Sequence, residues 1–133
     1  MNLPFRLTPA IFVFCLSTST ALFAENTALI PVGRPEQVWN NKGGETWTGR
    51  HEANVIESAQ VKAELIFIGD SITHGWDTTG SGTHIWEKTY APFQAINMGF
   101  GGDRIQHVLW RFEHGALVGI SPKVAVVMIG TNN

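Results

Sequence analysis

Leu65-Ile66-Phe67-Ile68 is a continuous apolar run closed by Gly69, the pattern of a short strand buried on both faces of a parallel sheet. Ala95-Ile96-Asn97-Met98 repeats it before Gly99, and Val124-Ala125-Val126-Val127-Met128-Ile129 repeats it before Gly130. Upstream, Trp47, His51, Val55 and Ala59 recur every fourth residue with Ile56 beside them, one face of an amphipathic helix that ends before Val61. Between the second and third strands, Ile105, Val108, Leu109 and Phe112 form a second helical stripe. Asp103 and Gln106 give it a capping-box-like start, and Gly115 would stop it. A further helix is expected after Ser71. Helices and strands thus alternate, which predicts an open α/β fold with a parallel sheet flanked by helices. The third strand is expected at an interior position of that sheet.

The remainder of the chain lacks this periodicity. From Glu25 to Glu45 the residues Pro31, Gly33, Pro35, Gly43 and Gly44 punctuate the sequence, so 25–46 is expected as an extended arm and 47–133 as the domain proper. Residues 1–24 read differently. Arg6 precedes an apolar stretch over 7–14, and small residues lead up to Ala24, the order of a secretory signal peptide. Pro4 and Pro9 count against a buried helix there. Cleavage is expected after Ala24, with Ala21 as the alternative, and the product is expected to be periplasmic or secreted. Cys15 would leave with the segment. Val13-Phe14 are not the small residues that a lipoprotein anchor wants before its cysteine.

With 133 residues, 44% hydrophobic, 15% charged and a net charge of −2, the chain is neither disordered nor a basic nucleic-acid-binding tail. No run after residue 24 approaches the roughly 20 apolar residues of a membrane span. The expected partner is therefore a small molecule or carbohydrate, without nucleic acid or membrane, and a homo-oligomer is compatible with the pattern.

Each predicted strand delivers a polar, glycine-containing motif to its carboxyl end, where open parallel sheets bind ligands. The motifs are Gly69-Asp70-Ser71, Gly99-Phe100-Gly101-Gly102-Asp103 and Gly130-Thr131-Asn132. Ser71 at a helix start suits a nucleophile, although Asp and Ser there are also ordinary caps. Gly102 would let backbone approach a ligand, or simply make a tight turn. Asn132 offers an amide donor for an oxyanion, or an Asx turn. A dinucleotide fingerprint fails because Arg104 stands where its last glycine is needed, and an aspartyl phosphotransfer site is weakened by Ile72 where a second acid is wanted. Among the histidines, His74 is expected on a solvated rim, while His51, His107 and His114 are expected to pack or face solvent. His84 follows the Gly/Ser/Thr-rich stretch 78–83. None is placed as a base.

Gly69-Asp70-Ser71-Ile72-Thr73, Asn97-Met98-Gly99-Phe100-Gly101-Gly102-Asp103 and Gly130-Thr131-Asn132-Asn133 resemble, in order and spacing, the first three blocks of the GDSL/SGNH hydrolase superfamily. The stretch from Gly101 to Arg111, followed by Pro122-Lys123-Val124, looks most like the branch that holds the catalytic subunits of intracellular platelet-activating-factor acetylhydrolase and their bacterial relatives. The resemblance implies a flavodoxin-like sheet and hydrolysis of a short-chain, acetyl-type carboxylic ester through an acyl-enzyme, with no metal or organic cofactor. It makes Ser71 the nucleophile and a backbone oxyanion donor, Gly102 a second backbone donor, and Asn132 a side-chain donor. The superfamily's Asp-x-x-His block, which supplies the general base and its orienting carboxylate, has no counterpart up to Asn133, so the chain is expected to be an N-terminal portion, inactive alone. The alternative is a non-catalytic carbohydrate- or ester-binding module, with Trp76 and Trp86 as its aromatic contacts.

Overall fold

The structure is a computed structural model that describes residues 25–39, 45–77 and 82–133. The expected signal segment, 1–24, lies outside the described residues, as do 40–44 and 78–81. A 3-10 turn at Thr27–Leu29 leads into β1 (Val38–Trp39), which pairs antiparallel with β2 (Glu45–Thr46). Then come α1 (Trp47–Gln60), β3 (Leu65–Gly69), the one-turn α2 (Ser71–His74) and α3 (Thr83–Ile85). Helical turns continue through Phe93 to β4 (Ile96–Gly99), α4 (Ile105–Glu113) and β5 (Val124–Met128). The last three strands of the chain form one parallel sheet in the order β4-β3-β5, so all three polar motifs follow the carboxyl ends of its strands. The predicted α/β class and its three strands are found, with ends shifted by one residue.

Alternation along β3 divides the interior. Ile66 and Ile68 join Ala63, Ile96, Met98 and Val108 in one buried cluster, closed by the half-buried Phe112, Ile120 and Ile129. Phe67 points to the opposite face, with ring centroids 5.1 Å from Trp86 and 4.9 Å from Tyr90. Trp86 is therefore a core anchor rather than a ligand contact.

Helix α1 buries only the first half of the expected face. Trp47, His51, Asn54, Ser58 and Arg50 are inside, whereas Ile56 is 57% exposed and Ala59 is exposed. The cause is the edge of the sheet. Among the described residues the carbonyls on the outer side of β4 lack a neighbouring strand, and they need donors. Arg50 Nε donates to the Gly99 carbonyl at 2.8 Å, and Arg50 Nη2 and Asn54 Nδ2 both reach the Asn97 carbonyl at 3.4 Å. Ser58 Oγ donates to the Ala116 carbonyl at 3.0 Å.

One further expectation is corrected. The N-cap of α4 is Arg104, whose backbone N–H donates to His107 Nδ1 at 2.9 Å. Asp103 is instead fully buried, because its carboxylate is claimed by the Trp47 indole and the Arg111 guanidinium. Among the described residues strand β5 pairs with β3 alone, and all five of its residues are exposed. An apolar run reports that a strand suits burial without naming the neighbours that would cover it.

Candidate active site

Ser71 opens α2, and Asp70 immediately before it is the cap, with Oδ1 accepting from the Ile72 N–H at 3.0 Å. The capping duty that either residue could have filled thus falls on Asp70, and among the described residues the exposed Ser71 hydroxyl has no hydrogen-bond partner. Gly102 sits in the turn after β4 with φ +75°, a left-handed conformation that glycine adopts without strain. Neither the Ser71 nor the Gly102 backbone N–H is taken by a backbone acceptor among the described residues.

Asn132 closes the arrangement from the loop after β5. Its Nδ2 donates to the Asp103 carbonyl at 2.8 Å and lies 3.4 Å from Asp70 Oδ2. One amide thereby links all three motifs. Gly102 and Asn132 line a common pocket of about 410 Å3 together with Arg34, Glu36, Arg104 and His107. Ser71 does not line that pocket, and it joins the other two through Asp70. A separate apolar hollow of about 280 Å3 between Ile72, Trp76 and Ile85 borders α2 but neither of the other motifs.

His74 is not the solvated rim residue expected from its position. It is 1% exposed, its Nδ1 accepts from the Gly101 N–H at 3.1 Å, and its Nε2 stands 3.2 Å from Glu45 Oε2. The imidazole therefore ties α2 to the glycine loop and is not placed to activate Ser71. Trp39 packs edge-on against it, with centroids 5.0 Å apart. His107 is buried too, and burial, followed by the positive charges of Arg34, Arg104 and Arg111, lowers its pKa to about 4. It is neutral at ordinary pH, so its approach to Asp103 at 3.7 Å is not an ion pair. His51 is also lowered, first by desolvation and then by Arg111. His114 stacks on Trp110, and His84 is exposed.

Beneath the loop, Arg111 Nε and Nη2 both meet Asp103 Oδ2 at 3.1 Å, and the Trp47 Nε1–H donates to Oδ1 at 2.8 Å. Burial raises the Asp103 pKa and the arginine opposes that shift, while burial lowers Arg111 to about 10. The Arg111 guanidinium also lies 3.9 Å from the centre of the Phe100 ring. Among the described residues no three His, Cys, Asp or Glu side chains are grouped to hold a metal ion. Arg34, Glu45 and the Asp103–Arg111 pair were not legible in the sequence as parts of the site. Arg34 and Glu45 lie far from the three motifs along the chain, and Asp103 reads as a cap.

Comparison with known proteins follows the same motifs. The chain is 40% identical over 103 residues to platelet-activating factor acetylhydrolase IB subunit alpha1 of Rattus norvegicus, and equally to that of Homo sapiens; the match covers 77% of this chain and 43% of each relative. Subunit alpha2 of Rattus norvegicus is 35% identical over the same shares. The chain thus spans less than half the length of the curated relatives it matches. These relatives are intracellular enzymes, which overturns the expectation of a periplasmic or secreted protein. That expectation rested only on the composition of residues 1–24, and a basic start before an apolar run does not by itself specify export. The GDSL-like lipase/acylhydrolase family model matches residues 67–133, from β3 through the Asn132 loop. The chain therefore belongs to the GDSL-like lipase/acylhydrolase family.

Proposed function

We propose that this protein is a serine ester hydrolase that releases a short acyl group, acetyl in the first instance, from a carboxylic ester. The observation that carries the reading is the Asn132 amide, which joins Asp70, the residue before Ser71, to Asp103, the residue after Gly102, at the carboxyl end of the sheet. Ser71 Oγ adds to the acyl carbon, the C–O bond to the alcohol breaks, and the alcohol leaves with a proton. Water then hydrolyses the acyl-enzyme and restores the serine. The backbone N–H groups of Ser71 and Gly102 and the Asn132 amide receive the negative charge that develops on the carbonyl oxygen. Donors fixed before the reaction starts need no reorganisation as that charge forms. For Asn132 the contact to Asp70 Oδ2 is the longer of its two, and is the one that a substrate oxygen would replace.

The histidines described do not supply the proton acceptor, since His74 is engaged through Nδ1 with the Gly101 N–H. The reading requires a general base from outside these residues. Support for acetyl comes from the relatives, which are acetylhydrolase subunits. The test uses protein expressed from the intact gene, with para-nitrophenyl acetate, butyrate and octanoate as substrates. Acetate is expected to be turned over fastest and Ser71→Ala to abolish turnover. Asn132→Ala is expected to lower kcat by about 10²- to 10³-fold, as for loss of one oxyanion donor. Near-normal turnover by Ser71→Ala would remove the serine from the mechanism.

A further inference from the structure

Phe100-Gly101-Gly102-Asp103 is a four-residue turn, closed by the Asp103 N–H, which donates to the Phe100 carbonyl at 3.1 Å. The φ of +75° at Gly102 is the positive value that a type II turn requires at its third position. Types I and II differ chiefly by a half-rotation of the central peptide, and here that peptide carries the Gly102 N–H. With glycine on both sides of it, the turn itself barely resists the rotation. The direction of the donor is therefore set by contacts from outside the turn. They come from α2 and from the β1–β2 ribbon. The His74 side chain is 1% exposed, and its Nδ1 accepts from the Gly101 N–H at 3.1 Å. An accepting Nδ1 is bare, so the ring proton sits on Nε2, which stands 3.2 Å from Glu45 Oε2 on β2. The carboxylate thus selects the tautomer that can hold the glycine loop. Trp39 of β1 packs edge-on against the imidazole and covers Gly101, where an added Cβ would stand 2.6 Å from the indole Nε1. The contact of Arg34 Nη1 to the Gly101 carbonyl, on the central peptide itself, is longer at 3.4 Å.

We propose that His74 is a positioning residue for the oxyanion site. Held in one tautomer by Glu45 and in place by Trp39, it fixes the Gly101 N–H and thereby keeps the Gly102 N–H turned toward the carbonyl oxygen of the ester. The inference rests on the esterase reading above, which gives Gly102 that role. A donor aimed before the charge develops stabilises it more than one that must first rotate. Glu45 and Trp39 precede the family-matched residues 67–133, so the ribbon supports the loop from outside the shared motifs.

The experiment measures kcat and KM for para-nitrophenyl acetate with protein from the intact gene. His74→Leu removes the acceptor and is expected to lower kcat by about 10- to 100-fold, less than the loss of a whole oxyanion donor, with KM nearly unchanged. His74→Asn places an amide oxygen where Nδ1 stands and is expected to recover most of that loss. Glu45→Ala is expected to lower kcat by about 3- to 10-fold, the scale of one hydrogen bond. A folded His74→Leu enzyme with wild-type kcat, or an asparagine variant no faster than the leucine variant, overturns the proposal. If His74→Leu does not fold, Glu45→Ala decides, and an unchanged kcat overturns the proposal. Failure of the wild type to hydrolyse the ester instead overturns the esterase reading. The loop is then judged by amide hydrogen exchange at Gly101, expected to be about 3- to 10-fold faster in Glu45→Ala than in wild type, with equal exchange overturning the proposal.

Discussion

His107 shows how one side chain can serve both a cap and an electrostatic boundary. Its Nδ1 accepts the Arg104 N–H and so must be unprotonated, while three arginines and burial oppose a charge on the ring. The folded pKa of about 4 lies below the ordinary 6.5, so the unfolded chain binds this proton first as pH falls. The penalty is absent above pH 6.5, grows as pH falls toward 4 and is complete below that. Its size is on the order of 3 kcal/mol. Wild type is therefore expected to lose that much more stability than His107→Gln between pH 7 and pH 4, measured by urea unfolding at a series of pH values. His51 is present in both proteins, so the comparison isolates His107. Parallel pH profiles would place the ring outside this linkage.

At the scale of elements, the one-turn helix α2 rests directly on β4. A Cβ on Gly99 would overlap the backbone at Thr73 and His74. Asn97 fastens the same junction, with Nδ2 donating to the Thr73 carbonyl at 2.9 Å and Oδ1 accepting from the Gly99 N–H at 2.8 Å. Backbone cannot retreat as a flexible side chain can. Gly99→Ala is thus expected to cost about 1–3 kcal/mol, read as a lower urea midpoint with an unchanged m-value. Stability equal to wild type would show that α2 shifts freely over the strand. The alternation of apolar runs and stripes made the strands and α1 and α4 legible in advance. It also misjudged the later half of the α1 face, because Arg50, Asn54 and Ser58 are buried by the carbonyls they satisfy rather than by their own hydrophobicity.

For the molecule as a whole, the Asp103–Arg111 pair connects α1, the glycine loop and α4 through Trp47. Replacing one partner of a buried pair leaves the other charge without compensation, which costs about 3–5 kcal/mol. Arg111→Met is expected to show a loss of that size in urea unfolding, and the double variant Asp103→Leu, Arg111→Met is expected to recover part of it. A single variant as stable as wild type would mean that the pair adds nothing to the assembly of these layers.

The sequence by itself determined the alternation of elements, the parallel sheet and the delivery of Ser71, Gly102 and Asn132 to the carboxyl end of that sheet. Those features follow from local periodicity and from the fixed direction of parallel strands. Tertiary structure alone decided that Asp70 rather than Ser71 caps α2, that His74 is buried against the Gly101 N–H, and that Arg34 lies over Gly102. Each of these depends on a through-space neighbour, and periodicity carries no information about partners 27 or 67 residues away along the chain.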